Sequence, residues 1–227
     1  MSEYKYQMHT HTYPCSHCAV MTPKELAKAL HKGGYSGCVI TNHFFNGNTG
    51  IDRHLPWNDF VKQYEIDYLE CKKQAENFDL DILFGIEEHI GGGLEILCYG
   101  ITPDLLYNHP ELKERNPEQW FNLVHSCDGI VIQAHPFRRR LYIPQAKSLP
   151  FELIDGIEVF NAGNSMRDNL EAEYFADNHP EFICVSGADT HDESTVCLGG
   201  IISSQRIKNE KELVKVLKSG KYELIKD

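Results

Sequence analysis

The sequence predicts an α/β protein whose parallel strands curl toward a closed barrel. Short, β-rich apolar runs alternate with helix-like segments, and the connections between them are short. Five of those runs also end in a histidine or an acid: YKYQMHTH, GCVITNH, DILFGIE, IVIQAHP and FICVSGADTH. Parallel strands gather their C-terminal ends on one face, where ligands and catalytic groups concentrate, so residues 180 positions apart can share one site. Seven or so strands with polar residues after many of them favour a closed or distorted barrel over an open sheet. The 227 residues fit a single domain, 1–227, and no repeat, low-complexity tract or linker divides them.

In chain order, a strand is expected over about 4–8, followed by a loop carrying HTHTYPCSHCAVM. A helix starts at Thr22, an N-cap with Pro23 at the first helical position, and Gly33-Gly34 ends it. Residues 38–41 form a buried strand, a Gly/Asn-rich loop follows, and a long helix covers about 58–77. Strands over 82–86 and 94–101 are joined by the turn Gly91-Gly92-Gly93. A helix over 118–125 leads to a strand over 130–133. Beyond it come a strand (156–160), a helix (166–177), strands over 182–186 and 197–203, and a terminal helix (209–219).

Composition narrows the function. A net charge of −11 argues against broad nucleic-acid binding. Clustered carboxylates that hold cations would account for part of the excess, as would an ordinary acidic surface. No apolar run approaches the roughly 18 residues of a membrane span, and MSEYKYQMHT lacks a signal-peptide core, so no membrane partner and a cytoplasmic location are expected. Of eight cysteines, Cys38, Cys98, Cys127, Cys184 and Cys197 lie in or beside apolar runs, as buried free thiols do. Cys15 and Cys18 form a CSHC unit, a redox pair or half a zinc knuckle. No second CxxC exists to complete a closed zinc site.

The candidate ligands are histidines and acids, the usual partners of catalytic divalent metals, and their number implies more than one ion. His9 and His11 project to one side of an extended strand end, because side chains alternate with period two. His17 follows six residues later. Asn42-His43, Glu87, His135-Pro136, Asp189 and His191 each close a later run. The remaining histidines read as solvent-facing or hydrogen-bonded, though His89 lies two residues past Glu87 on the same side of the chain.

Taken together, HTHT, the CSH segment, ITNH, GIE, AHP and GAD-H resemble the polymerase and histidinol phosphatase (PHP) family. The gaps of two and six between His9, His11 and His17 are similar to its histidinol-phosphatase-like branch. The motifs run in family order from His9 to His191, about four-fifths of the chain. The resemblance implies a distorted (β/α)7 barrel with two or three divalent metals at the C-terminal strand ends. It implies that His9, His11 and Asp189 hold the first metal and that Glu87 bridges to a second, also bound by His135. His17, His43 and His191 would hold a third. Such a donor set suits Zn²⁺, Mn²⁺ or Fe²⁺. Three departures stand out: Glu95 replaces a frequent histidine and is expected as a ligand, Asn42 replaces the aspartate of TDH, and Gln7 replaces an acid before the first HxH.

Phe137-Arg138-Arg139-Arg140 directly follows His135-Pro136, a basic triplet in an acidic chain. Guanidinium groups grip phosphate bidentately, so Arg138 and Arg139 are candidate substrate contacts, with Asn161 at the end of GIEVFN. The expected activity is metal-dependent hydrolysis of a small phosphorylated substrate (a phosphomonoester), with Asp189 or His191 shuttling the proton. The alternatives are an amidohydrolase-like C–N hydrolase, which resembles this pattern in its HxH but usually bridges its metals with a lysine, and a non-catalytic metal-binding regulatory module.

Overall fold

A computed structural model describes residues 3–227. Its sheet has nine strands in the order β7-β6-β5-β4-β3-β2-β1-β8-β9. In chain order the elements are β1 (Tyr4–Gln7), α1 (Pro23–Lys32), β2 (Gly37–Ile40), α2 (Trp57–Ala75), β3 (Asp81–Gly91) and β4 (Leu94–Tyr99). Then follow α3 (Pro103–Leu106), α4 (Pro117–His125), β5 (Ile130–Ala134), β6 (Gly156–Asn161), α5 (Met166–Asp177) and β7 (Ile183–Gly187). The chain ends with β8 (Gly199–Ser203), α6 (Glu210–Ser219) and β9 (Tyr222–Lys226).

The sheet nearly closes on itself. Just past β1 and β7, Thr10 and Thr190 form a parallel bridge, with His11 N donating to Thr190 O at 2.9 Å and Thr190 N to His9 O at 3.1 Å. Below that bridge, β8 wedges in antiparallel to β1. Gln7 stitches this seam. Its amide donates to Val196 O and Gly199 O, while its Oε1 accepts from the backbone of Met8, His9 and Ala188. An acid at position 7 would lack the two donors, which accounts for glutamine there.

The expected uniform parallel order needs correction. β4 runs antiparallel to both β3 and β5, and β8 and β9 form an antiparallel pair. A parallel connection needs a crossover of a dozen or more residues, and the few between β3 and β4 allow only a hairpin. Gly91, Gly92 and Gly93 take φ of 106°, 61° and 76°, which side chains with a Cβ rarely adopt. The terminal strand β9 was not foreseen.

Alternation along the strands sorts side chains into two apolar layers. Val39, Leu83, Leu97, Tyr99, Ile130, Ile132 and Ala134 fill the barrel interior with Met8 and Val185. Their neighbours Cys38, Ile40, Phe84, Ile86, Ile96, Cys98 and Val131 face outward beneath the helices. There Phe44 meets Trp57, Phe60, Tyr64 and Trp120 edge-on, the preferred contact of aromatic quadrupoles. The same alternation sends Glu87 and Glu95 inward, since each lies two residues from an interior position or a multiple of two. Helix α1 begins as read, with Thr22 and Glu25 completing a capping box. Among the described residues, no helix is long and apolar enough to cross a membrane.

Candidate metal centre

Most of the sequence-selected ligands converge at one end of the barrel. Donor atoms of His9, His11, Glu87 and Asp189 lie within 4.8 Å of one another, as do those of His43, Glu87 and Glu95, and those of His11, His43 and His191. Glu87 is common to the first two groups, and its oxygens face different histidines. Oε1 lies 3.2 Å from both His9 Nε2 and His135 Nε2. Oε2 lies 3.3 Å from His11 Nε2 and 2.8 Å from His43 Nδ1. A carboxylate with its two oxygens so divided has the geometry of a bridge. Glu95 reaches the same space, 3.4 Å from His135 Nε2, with its neighbours Leu97 and Tyr99 in the interior.

The hydrogen bonds behind the ligands fix which nitrogens face inward. His9 Nδ1 donates to Glu158 Oε1 at 3.0 Å, a carboxylate that also accepts from His135 N and Asn161 Nδ2. Ser16 Oγ gives its only proton to Asn42 Oδ1 at 2.8 Å, so it accepts from His11 Nδ1 at 3.0 Å. Both rings therefore present bare Nε2 atoms, which lie 3.1 Å apart. Two lone pairs at that distance repel unless a cation lies between or beside them. His43 Nδ1 and Glu87 Oε2 are likewise buried and, although 2.8 Å apart, neither meets hydrogen-bond geometry with any group among the described residues. The donor set fits a divalent metal.

Asn42 organises this network. Its Oδ1 also accepts from Thr12 N, and its Nδ2 donates to Thr12 Oγ1 and to Asp67 Oδ2 at 2.8 Å. An aspartate here would set two buried carboxylates against each other, so asparagine at 42 and Asp67 on α2 belong together. Burial pushes Asp67 up to about 6 despite the hydrogen bonds from Thr12 and Asn42.

Electrostatics around the cluster are cation-seeking. Burial opposes charge on Glu87, but His9 and His43 outweigh it and hold its pKa well below the usual carboxylate range. Asp189 is held low in the same way, by His9 and Arg138. Burial and the neighbouring Glu87 push Glu95 up to about 7. His135 and Asp189 sit at φ of 29° and 52°, a sparsely populated region for such residues. Backbone strain of this kind gathers at functional sites.

Two expectations need correction. His17 is exposed and belongs to none of these groups, because its N–H is tied to Asn48 O at 2.8 Å in a surface turn. Its neighbour Cys18 lines the cavity instead, with Sγ 3.0 Å from His191 Nε2. Burial would raise the thiol's pKa, but His191 and His43 bring it down to about 6. Arg139 does not point into the site, since ion pairs to Asp168 and Glu171 pin it along α5. His89 joins none of the ligand groups either, and its Nε2 accepts from Gly93 N. Glu158 was not anticipated, because it lies inside a strand rather than past its end.

The cavity over the cluster holds about 370 Å³ and is lined by His43, Glu87, Glu95, His135, Asp189 and His191, with Cys18, Asn48, Arg138 and Tyr142. A larger one, about 610 Å³, lies between Tyr13–Cys15 and α2, away from these groups. Arg138 is buried, and its fork is positioned from three sides. Nε donates to Asn164 Oδ1, and Nη2 donates to Asn161 Oδ1 and Asp189 Oδ2, all at 2.7 Å. Its Nη1 makes no hydrogen bond among the described residues.

No protein-family model and no curated protein matches the sequence. Solved structures do share its fold. A two-domain protein from Bacteroides vulgatus, containing a predicted PHP-like metal-dependent phosphoesterase, superposes with a TM-score of 0.68 at 12% identity over 99% of this chain. The chain spans 65% of that protein's length. A predicted metal-dependent phosphoesterase from Bifidobacterium adolescentis superposes with a TM-score of 0.56 at 14% identity, over 94% of this chain and 95% of that one. The fold is that of the PHP-like phosphoesterases. An amidohydrolase from Chromobacterium violaceum, with bound sulfate and no metal, also superposes, with a TM-score of 0.56 at 15% identity over 82% of this chain and 87% of that one.

Proposed function

We propose that the chain is a PHP-type metal-dependent phosphoesterase that hydrolyses a small phosphomonoester. The observation that carries this is the divided Glu87 carboxylate among four imidazoles, with the free Nη1 of Arg138 beside them. We read the ring β1–β7 as a distorted (β/α)7 barrel in which β4 is reversed, and residues 1–227 as one catalytic domain. The assignment to the histidinol-phosphatase-like branch rests on the spacing of His9, His11 and His17 alone.

His9, His11, Glu87 and Asp189 would hold one ion, Glu95 and His135 would hold a second with Glu87, and His43 and His191 face a third position. Bound Zn²⁺, Mn²⁺ or Fe²⁺ would polarise a phosphoryl oxygen and lower the pKa of a water. Arg138 Nη1 takes a phosphate oxygen, while Asn161 and Asn164 keep its plane fixed. Asp189 Oδ2 is tied to Arg138, so it serves as an anionic ligand and not as the proton shuttle. His191 stands at the cavity mouth with its side chain 29% exposed, its Nδ1 held by Asp189 O and its Nε2 turned to Cys18. A C–N hydrolase of the amidohydrolase kind fits less well, since no lysine lines the cavity among the described residues.

The test is turnover of p-nitrophenyl phosphate, then of sugar phosphates, histidinol phosphate and nucleotides, by protein loaded with each metal. Metal-loaded protein inert on every phosphomonoester yet active on an amide would reverse the assignment. Within that assay Arg138→Ala should lower kcat/KM about ten- to a hundredfold, the loss of one charge-assisted contact. Arg138→Lys should recover only part of it, because an ammonium cannot reproduce the fork. Arg139→Ala should stay near the parent rate. Equal, negligible effects at both positions would place the anion site elsewhere.

A further inference from the structure

The turn carrying CSHC presents its sulfur, and not its imidazole, to the metal cavity. Three backbone bonds fix that turn: His17 N to Asn48 O, Ala19 N to Ser16 O and Val20 N to His191 O, at 2.8, 3.1 and 3.0 Å. With residues 17 and 20 anchored to different walls, the His17 side chain turns to solvent and Cys18 turns inward. Cys18 Sγ reaches 3.0 Å from His191 Nε2. The Nδ1 of His191 donates to Asp189 O at 2.6 Å, so Nε2 carries the lone pair and turns it to Cys18. His43 stands across the same space, more than nine-tenths buried, and its Nδ1 faces Glu87 Oε2 at 2.8 Å without hydrogen-bond geometry to any group among the described residues. His11, His43 and His191 bring donor atoms within 4.8 Å of one another.

We infer that Cys18 is a thiolate ligand to a metal ion held by His43 and His191, in the place where the sequence pattern would put His17. This rests on the metallohydrolase reading above. On binding, the thiol gives its proton to solvent and the sulfur takes the coordination position. A thiolate among imidazoles favours Zn²⁺, Fe²⁺ or Co²⁺ over the harder Mn²⁺ and Mg²⁺. The substitution of sulfur for nitrogen would therefore set metal preference at one position of the cluster while leaving the Glu87 bridge intact.

Co²⁺ titration followed by electronic absorption tests this without any turnover assay. The intact chain should develop visible ligand-field bands together with a near-ultraviolet sulfur-to-cobalt charge-transfer band. Cys18→Ser should abolish the charge-transfer band and weaken one Co²⁺ or Zn²⁺ equivalent roughly tenfold or more, given that even hydrogen-bond partners of ligands matter by 10–100-fold. His17→Ala should keep both features. X-ray absorption of the Zn²⁺ form should show sulfur at about 2.3 Å. Ligand-field bands without charge transfer would overturn the role of Cys18 and leave the metal centre standing. Charge transfer that survives in Cys18→Ser would assign the sulfur to another cysteine, and failure to bind Co²⁺ at all would overturn the metal centre itself. Cys18 is exposed on a turn, so its serine variant should fold, which circular dichroism verifies.

Discussion

Glu87→Gln should lose at least one metal ion and nearly all hydrolysis. The substitution keeps the shape of the side chain but replaces one anionic oxygen with an amide nitrogen, which has no lone pair to offer. Because Oε1 and Oε2 face different pairs of histidines, His9 with His135 and His11 with His43, no orientation of the amide can serve both. Removing the charge also leaves four imidazoles around a neutral group, which disfavours any cation there. Metal content by mass spectrometry and turnover on p-nitrophenyl phosphate should fall together. Full metal loading with full activity would show that Glu87 is not the bridge.

A comparable loss is expected at a residue that never touches the metals. Glu158→Ala removes the acceptor for His9 Nδ1, His135 N and Asn161 Nδ2 in one step. Each buried donor left without a partner costs about 1–3 kcal/mol. Loss of a carboxylate behind a ligating histidine typically weakens metal binding 10- to 100-fold. Glu158→Gln should be milder in stability but should still impair metal affinity, because its amide N–H₂ must face a donor on one side. Thermal denaturation and Zn²⁺ competition titrations measure the two effects. A Glu158→Ala variant with parental melting temperature and metal affinity would remove this residue from the account.

That contrast shows what was legible in the sequence. Glu87 was readable because it ends an apolar strand, where barrel geometry collects functional groups. His9, His11, His43, His135 and Asp189 were readable for the same reason. Glu158 carries a signal of its own, a lone acid inside the buried run GIEVF, but it sits before the strand end and so escaped a search of termini. Glu95 was ambiguous in sequence and became clear once Leu97 and Tyr99 were seen to point into the barrel. Arg139 and His17 could not be placed from local pattern. Their directions are set by partners far along the chain, Asp168 and Glu171 for one, Asn48 and His191 for the other.

The fold divides similarly. Helix α1 was legible from its cap Thr22 and Pro23, while for α4, α5 and α6 the structure adds the caps Asn116, Ser165 and Asn209, which accept from the first helical turn. The reversal of β4 was encoded in the three-glycine turn, but strand–helix alternation elsewhere outweighed it. Strand β9 is short and half-exposed, its charges at Glu223 and Lys226 break the period-two alternation, and its pairing with β8 is a tertiary fact.

The central claim is that these histidines and carboxylates form a multinuclear metal centre. Inductively coupled plasma mass spectrometry of protein purified without chelator tests it most directly. The account predicts about two to three divalent transition ions per chain, Zn²⁺, Mn²⁺ or Fe²⁺, as expected for paired-metal hydrolases. Less than one ion per chain, unchanged after equilibration with each of these metals, would contradict it.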